Sequence, residues 1–151
     1  MRISKYRAEI SEEKKPVLVK EQAFNYSREF CLNNADIAVR FLQEKFHAEK
    51  LYTEHLWMLT ANTKLNLTGI FEISSGSVNG TLAGMKEIFT KALLAGATGI
   101  ILAHNHPSGD VTASKEDLQV MEKIQKCCEL LEIQFLDFII IGDREYKSYR
   151  K

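Results

Sequence analysis

Apolar positions along this chain recur in alternating helical and strand rhythms. Over residues 34–46 the spacing is helical. Ile37 and Phe41 line up with Lys45 on one side, Ala38, Leu42 and Phe46 lie beside them, and Asn33 or Asn34 is placed to cap the start. Residues 51–60 read as a strand, because Leu56-Trp57-Met58-Leu59 is apolar on both faces, as in a strand with a neighbour on each edge. The polar turn 61–64 leads to a second strand over 65–73, and 74–80 reads as loop. A helix over 83–95 carries the stripe Met85, Ile88, Phe89, Ala92 and Leu93, with Gly96 placed as its C′ residue. Residues 99–103 form a short buried strand. A helix over 114–131 turns Leu118, Met121, Ile124, Cys128 and Leu131 inward, and 134–141 is the last clear strand. Residues 1–25 are charged and weakly patterned. Val17 to Val19 could pair as an edge strand, but the segment is treated as an extension, leaving 26–151 as one domain. Strands and helices interleave, so the expected fold is α/β, a sheet with helices packed on it.

A length of 151 residues allows one domain and excludes an eight-fold βα barrel, which needs about 250 residues. Hydrophobic residues make up 45% and charged ones 26%, enough for a real core. Twenty basic and twenty acidic residues cancel, so there is no overall basic field for nucleic acid. The three cysteines, Cys31, Cys127 and Cys128, include no CxxC and are read as reduced thiols. No apolar stretch is long enough for a membrane span, and the first twenty residues lack the apolar core of a signal peptide; the expected compartment is the cytoplasm.

One segment advertises chemistry. Between the buried strand and the third helix lies Ala103-His104-Asn105-His106-Pro107-Ser108-Gly109-Asp110, at the carboxyl end of a strand, where functional groups concentrate in open α/β sheets. If the chain stays extended, His104 and His106 point to the same side and reach one ion. Pro107 then stops the strand, and Gly109 permits a sharp turn. A catalytic zinc needs a third ligand, and Asp110 and Asp117 are the nearby carboxylates. Gly109-Asp110 is more often only a turn, so Asp110 ranks below Asp117. Ser114 and Asp117 are one helical turn apart and also resemble a capping box, a reading of equal weight. The donor types suit zinc, and also manganese, iron or nickel. His47 and His55 stand alone and read as structural. Neither the HxHxDH of metallo-β-lactamase-like hydrolases nor the HxE with PCxxC of zinc deaminases is present.

The run HNHPSGDVTASKED resembles the signature of RadC-like proteins, a branch of the JAB/MPN metalloprotease superfamily. That superfamily's JAMM pattern is a distant Glu, then HxH, seven residues, Ser, two residues and Asp; His104, His106, Ser114 and Asp117 fit every spacing. Resemblance extends from Leu51 to Tyr149, through Thr53-Glu54-His55, Gly80-Thr81, Lys86-Glu87-Ile88-Phe89 and Leu136-Asp137-Phe138-Ile139-Ile140. It implies an MPN (cytidine-deaminase-like) sandwich, a curved mixed sheet flanked by helices. It implies one Zn2+ per chain held by His104, His106 and Asp117, with Glu54 as general base and Ser114 as donor to the oxyanion. Pattern alone leaves Glu44, Glu49, Glu72 and Glu87 as open as Glu54. The implied activity is hydrolysis of a peptide or isopeptide amide bond in a peptide or protein substrate.

Departures are present too. Asp137-Phe138 stands where the family usually has Asp-His, and Met85-Lys86-Glu87 where it has Pro-Arg-Glu. The helical segment of DNA-binding type that precedes the domain in full-length RadC proteins is expected to be missing. A DNA-repair-associated accessory role is the alternative, resting on a basic tail (Arg144, Lys147, Arg150, Lys151) and a basic start (Arg2, Lys5, Arg7), runs that are usually only solvated ends. A non-catalytic MPN scaffold ranks lowest, because such relatives typically lose the ligands that this chain keeps.

Overall fold

The computed structural model describes residues 1–26, 30–76 and 84–150. In chain order its elements are β1 (Arg2–Ile10), β2 (Pro16–Asn25), α1 (Ala35–Phe46), a 3-10 turn (Ala48–Lys50), β3 (His55–Ala61), β4 (Leu67–Ser75), α2 (Met85–Leu94), β5 (Gly99–Asn105), α3 (Lys115–Leu131), β6 (Gln134–Ile141) and β7 (Tyr146–Ser148). The strands make one mixed sheet of seven, in the order β2-β1-β4-β3-β5-β6-β7. β3 and β5 are antiparallel neighbours at its centre, and β5 and β6 run parallel. That centre is apolar on both faces because both are covered. Trp57, Leu59, Ile101, Ala103, Ile139 and Ile141 pack with α1 on one face. Leu56, Met58, Ile100, Leu102, Phe138 and Ile140 pack with α2 and α3 on the other. The result is a mixed α/β domain of three layers.

Several expectations shift. The polar segment 1–25 supplies two strands of the sheet: β1 and β2 form a long hairpin, and β1 pairs parallel with β4 through Lys5 and Tyr6. Its apolar signal is weak because, of the hairpin's residues, only Ile3 is fully buried; pairing, not burial, holds the rest. The strand expected from residue 51 begins at His55, after the 3-10 turn, and the next begins at Leu67 rather than 65. There the Asn62 carboxamide oxygen accepts the Lys64 and Asn66 amides at 2.9 and 3.0 Å, lengthening the turn by a local hydrogen bond. Leu118 and Leu131 are not core: they are 52% and 39% exposed. The buried face of α3 carries Asp117, Ile124 and Cys128, and a helix that buries 117 turns 118 outward. Leu93 is likewise exposed. α2 begins at Met85, and residues 83, Gly80 and Thr81 lie outside the described set. β7, which pattern did not predict, closes the edge beside β6.

Candidate metal centre

The two histidines leave the sheet at the C-terminal end of β5. Ile100, Leu102 and His104 alternate onto the face that carries α3. His106 follows β5, but its amide donates to the Ile141 carbonyl at 2.9 Å, so the extended run continues through it. Both imidazoles therefore project to one side, with ring centroids 4.6 Å apart. Gly109, at φ +84°, makes the return turn, and a Cβ there would sit 2.7 Å from Asp143 Oδ1.

Asp117 is brought opposite them by the start of α3. The Ser114 hydroxyl oxygen accepts the Asp117 amide at 3.0 Å, and the Ser114 amide donates to Asp117 Oδ2 at 2.8 Å. The capping box is thus formed, and it does not compete with the metal-ligand role: it orients the carboxylate toward the histidines. Asp117 Oδ1 lies 3.4 Å from His104 Nε2, and Oδ2 lies 3.4 Å from His106 Nε2. One donor atom from each of the three side chains falls within 4.8 Å of the others. Asp110 takes no part through its side chain, which accepts the Thr112 amide at 2.9 Å. Its carbonyl instead receives His106 Nδ1 at 2.6 Å. A carbonyl only accepts, so Nδ1 carries the proton and Nε2 keeps its lone pair toward Asp117 in the neutral ring.

The donor chemistry fits a divalent cation. His104 is 1% exposed, and neither of its ring nitrogens has a hydrogen-bond partner among the described residues. Leaving such a buried group unpaired costs about 1–3 kcal/mol, and a cation beside Nε2 would relieve it. Burial lowers His104 to about 4, which keeps its lone pair available near neutral pH. For Asp117, burial works upward, but the hydrogen bonds from protonated His106 and from Ser114 prevail and hold it at about 2, as a carboxylate. Two imidazoles and a carboxylate suit zinc, and equally other divalent metals of similar softness. Phe138 sits edge-on to His104 with centroids 5.3 Å apart and offers Nδ1 no acceptor.

Glu54 comes from the chain just before β3. The antiparallel register sets Leu56 opposite His104, and Glu54 follows two residues out, where the charges of His106 and Asp117 both act on it. Its carboxyl is raised first by burial and also by the charge of Asp117, against a lowering effect of His106. Of the glutamates that pattern left equally open, Glu72 pairs with His55 and Lys5, and Glu87 with Lys91. His55 is therefore not alone; besides Glu72 it stacks on Trp57. Much of the basic start and tail is engaged internally. Lys5 meets Glu21 and Glu72, Arg7 meets Glu9, and Arg150 donates to the Leu32 and Asn33 carbonyls. Lys151 lies outside the described residues. A cavity of about 460 Å3 between α3 and β6 is lined by Leu118, Met121, Phe135, Asp137 and Tyr149 but by none of the three donors.

Two expectations follow directly. Tyr149, just past β7, accepts the Ala113 amide at 2.8 Å and donates to the Val111 carbonyl at 3.2 Å, pinning the loop between the histidines and α3. Tyr149→Phe is expected to cost about 1–2 kcal/mol in urea denaturation. It should also weaken zinc binding by up to about ten-fold in chelator competition; no change in either would show that the pin is idle.

The second concerns acid. In metal-free protein, His104, lowered from 6.5 to about 4, contributes stability that is complete above pH 6.5 and lost as the pH falls through 4. Asp117, lowered from 3.8 to about 2, acts in the same direction at lower pH. His106 is raised, chiefly by its bond to Asp117, so its contribution has the opposite sign: present below 6.5 and lost as the pH rises through the raised value. The urea midpoint of chelator-treated protein should therefore fall between pH 6.5 and 4 by the equivalent of a few kcal/mol. A flat profile there would contradict a neutral, buried His104.

No helix of the described residues is long and apolar enough to cross a membrane. The model of the RadC-like JAB domain family matches residues 32–151, from just before α1 onward, leaving the whole β1–β2 hairpin outside the match. A UPF0758 protein of Moorella thermoacetica is 38% identical over 85% of this chain and 55% of its own length. One from Enterococcus faecalis is 40% identical over 79% of this chain and 50% of its own length. One from Streptococcus gordonii is 38% identical over 86% and 56%. The chain thus spans about half the length of these curated relatives. The matched stretch contains His104, His106 and Asp117, the strand and helix that present them and the loop between, and the chain belongs to the RadC-like JAB domain family.

Proposed function

We propose that this domain is a zinc-dependent hydrolase of the JAMM type, a metallopeptidase-like enzyme that cleaves a peptide or isopeptide amide bond. The observation that carries the reading is the convergence of His104, His106 and Asp117, within 4.8 Å, at a sheet end that also brings up Glu54. Three protein donors leave a fourth position for the reaction, as catalytic rather than structural zinc sites do. His104, His106 and Asp117 would hold one zinc ion per chain, which would supply a Lewis acid able to polarise a carbonyl and lower the pKa of water toward neutrality. Glu54, with its carboxyl raised by burial, would accept a proton from the attacking water and return it to the leaving amine. The Ser114 hydroxyl spends its oxygen on the Asp117 amide, so its own proton remains to be donated to the oxygen on which negative charge grows. His106, tied to the Asp110 carbonyl, keeps its ring in place throughout.

The three-layer arrangement supports assignment to the MPN (cytidine-deaminase-like) sandwich. The protein or peptide nature of the substrate comes from the family resemblance. A screen of peptide and isopeptide substrates tests the proposal. Turnover should vanish with chelator and return with added zinc; turnover indifferent to chelation would refute it.

A further inference from the structure

Asn105 lies between the two histidines, and the alternation that turns His104 and His106 to the α3 side turns Asn105 to the other. It is 1% exposed. Its carboxamide Oδ1 accepts the His55 amide at 2.7 Å, and its Nδ2 donates to the Thr53 carbonyl at 3.0 Å. These are the backbone groups immediately before and after Glu54. The third backbone bond of that segment, from the Gly76 amide to the Glu54 carbonyl at 2.9 Å, comes from the end of β4. The backbone ladder between β3 and β5 stops at Leu56 and His104, so beyond it a side chain does what main chain does within the sheet. The two partners also fix which end of the amide is which, since one is a donor and the other an acceptor.

We infer that Asn105 is a positioning residue that ties the Glu54 segment to the strand bearing His104 and His106, so that base and metal ligands move as one body. This rests on the proposed hydrolase reading for its purpose, but not for its geometry. A carboxamide is required: it offers one acceptor and one donor in a plane. A carboxylate would present an oxygen to the Thr53 carbonyl, and a serine would be too short to span both groups.

Hydrogen exchange at the His55 amide, followed by NMR, reads the clamp directly. In Asn105→Ala that amide should exchange about ten-fold faster or more. Zinc affinity by chelator competition should stay within about three-fold of the unsubstituted protein, because all three donors remain. With a substrate found by the screen, kcat should fall at least about ten-fold with KM little changed. Asn105→Asp, close in shape, should keep the His55 amide protected yet lose turnover, because only the Thr53 side is broken. In the unsubstituted protein, adding zinc should slow exchange at His55 and leave the amides of the β1–β2 turn unchanged; this arm needs no variant to fold. An unaltered His55 amide in Asn105→Ala, or one that ignores zinc in the unsubstituted protein, would overturn the inference. So would a loss of zinc in Asn105→Ala as large as that in Asp117→Asn, because Asn105 would then serve the ligands and not the base. Failure of the unsubstituted protein to bind zinc at all would instead sink the hydrolase reading, leaving the clamp to be judged on His55 exchange in metal-free protein.

Discussion

Asp117→Asn is expected to weaken zinc binding by at least about 100-fold, while Asp110→Asn leaves it nearly intact. The contrast isolates ligand charge from folding. In Asp117→Asn the main-chain amide still reaches the Ser114 hydroxyl, and the new carboxamide oxygen can still accept the Ser114 amide, so α3 keeps its cap. What disappears is the negative charge 3.4 Å from both Nε2 atoms. In Asp110→Asn the turn bond to Thr112 survives through the carboxamide oxygen, and the contact with His106 is made by main chain, so neither depends on the charge. Metal content after desalting, with chelator competition for affinity, decides the matter. His104→Ala with His106→Ala should empty the site altogether. Zinc retained in Asp117→Asn but lost in Asp110→Asn would mean that the third ligand has been misassigned.

Glu54→Gln should leave zinc bound and reduce turnover by about 10²–10⁴-fold, the usual worth of a general base. The substitution preserves shape, and the main-chain bonds around position 54 do not involve the carboxyl. Its carboxyl is raised by burial before any charge acts on it, the environment expected of a group that must take and return a proton near neutral pH. Undiminished hydrolysis by Glu54→Gln, measured at saturating zinc, would remove Glu54 from the mechanism. Loss of both zinc and activity would make it a ligand instead.

The legible part of this protein is the part set by local chain geometry. Two histidines two residues apart share a side wherever the chain is extended, and Ser114 and Asp117 share a helical turn wherever a helix begins. Those spacings are intrinsic, which is why the core of the site could be read before any contact was known. The central strand was legible for a related reason: Leu56-Trp57-Met58-Leu59 has no polar face to expose. Hidden features were those whose cause lies elsewhere in the chain. The β1–β2 hairpin buries little and is held by pairing, so its residues carry no apolar rhythm. Leu118 follows the helical rhythm but faces outward, because Asp117 takes the buried side of the first turn of α3, and Leu131 is the last residue of that helix, where its face runs out past the sheet's cover.

By itself, then, the sequence determined that strands and helices interleave, that two imidazoles and a carboxylate lie within reach of one another, and which superfamily pattern they match. The family resemblance singles out Glu54, and only tertiary structure accounts for how that residue comes near them. Glu54 is some fifty residues from the histidines, and what brings it there is the register in which β3 pairs with β5, fixed by side chains packed on both faces of the sheet and extended at its end by Asn105. Register is a property of two strands together, and no spacing within either one encodes it.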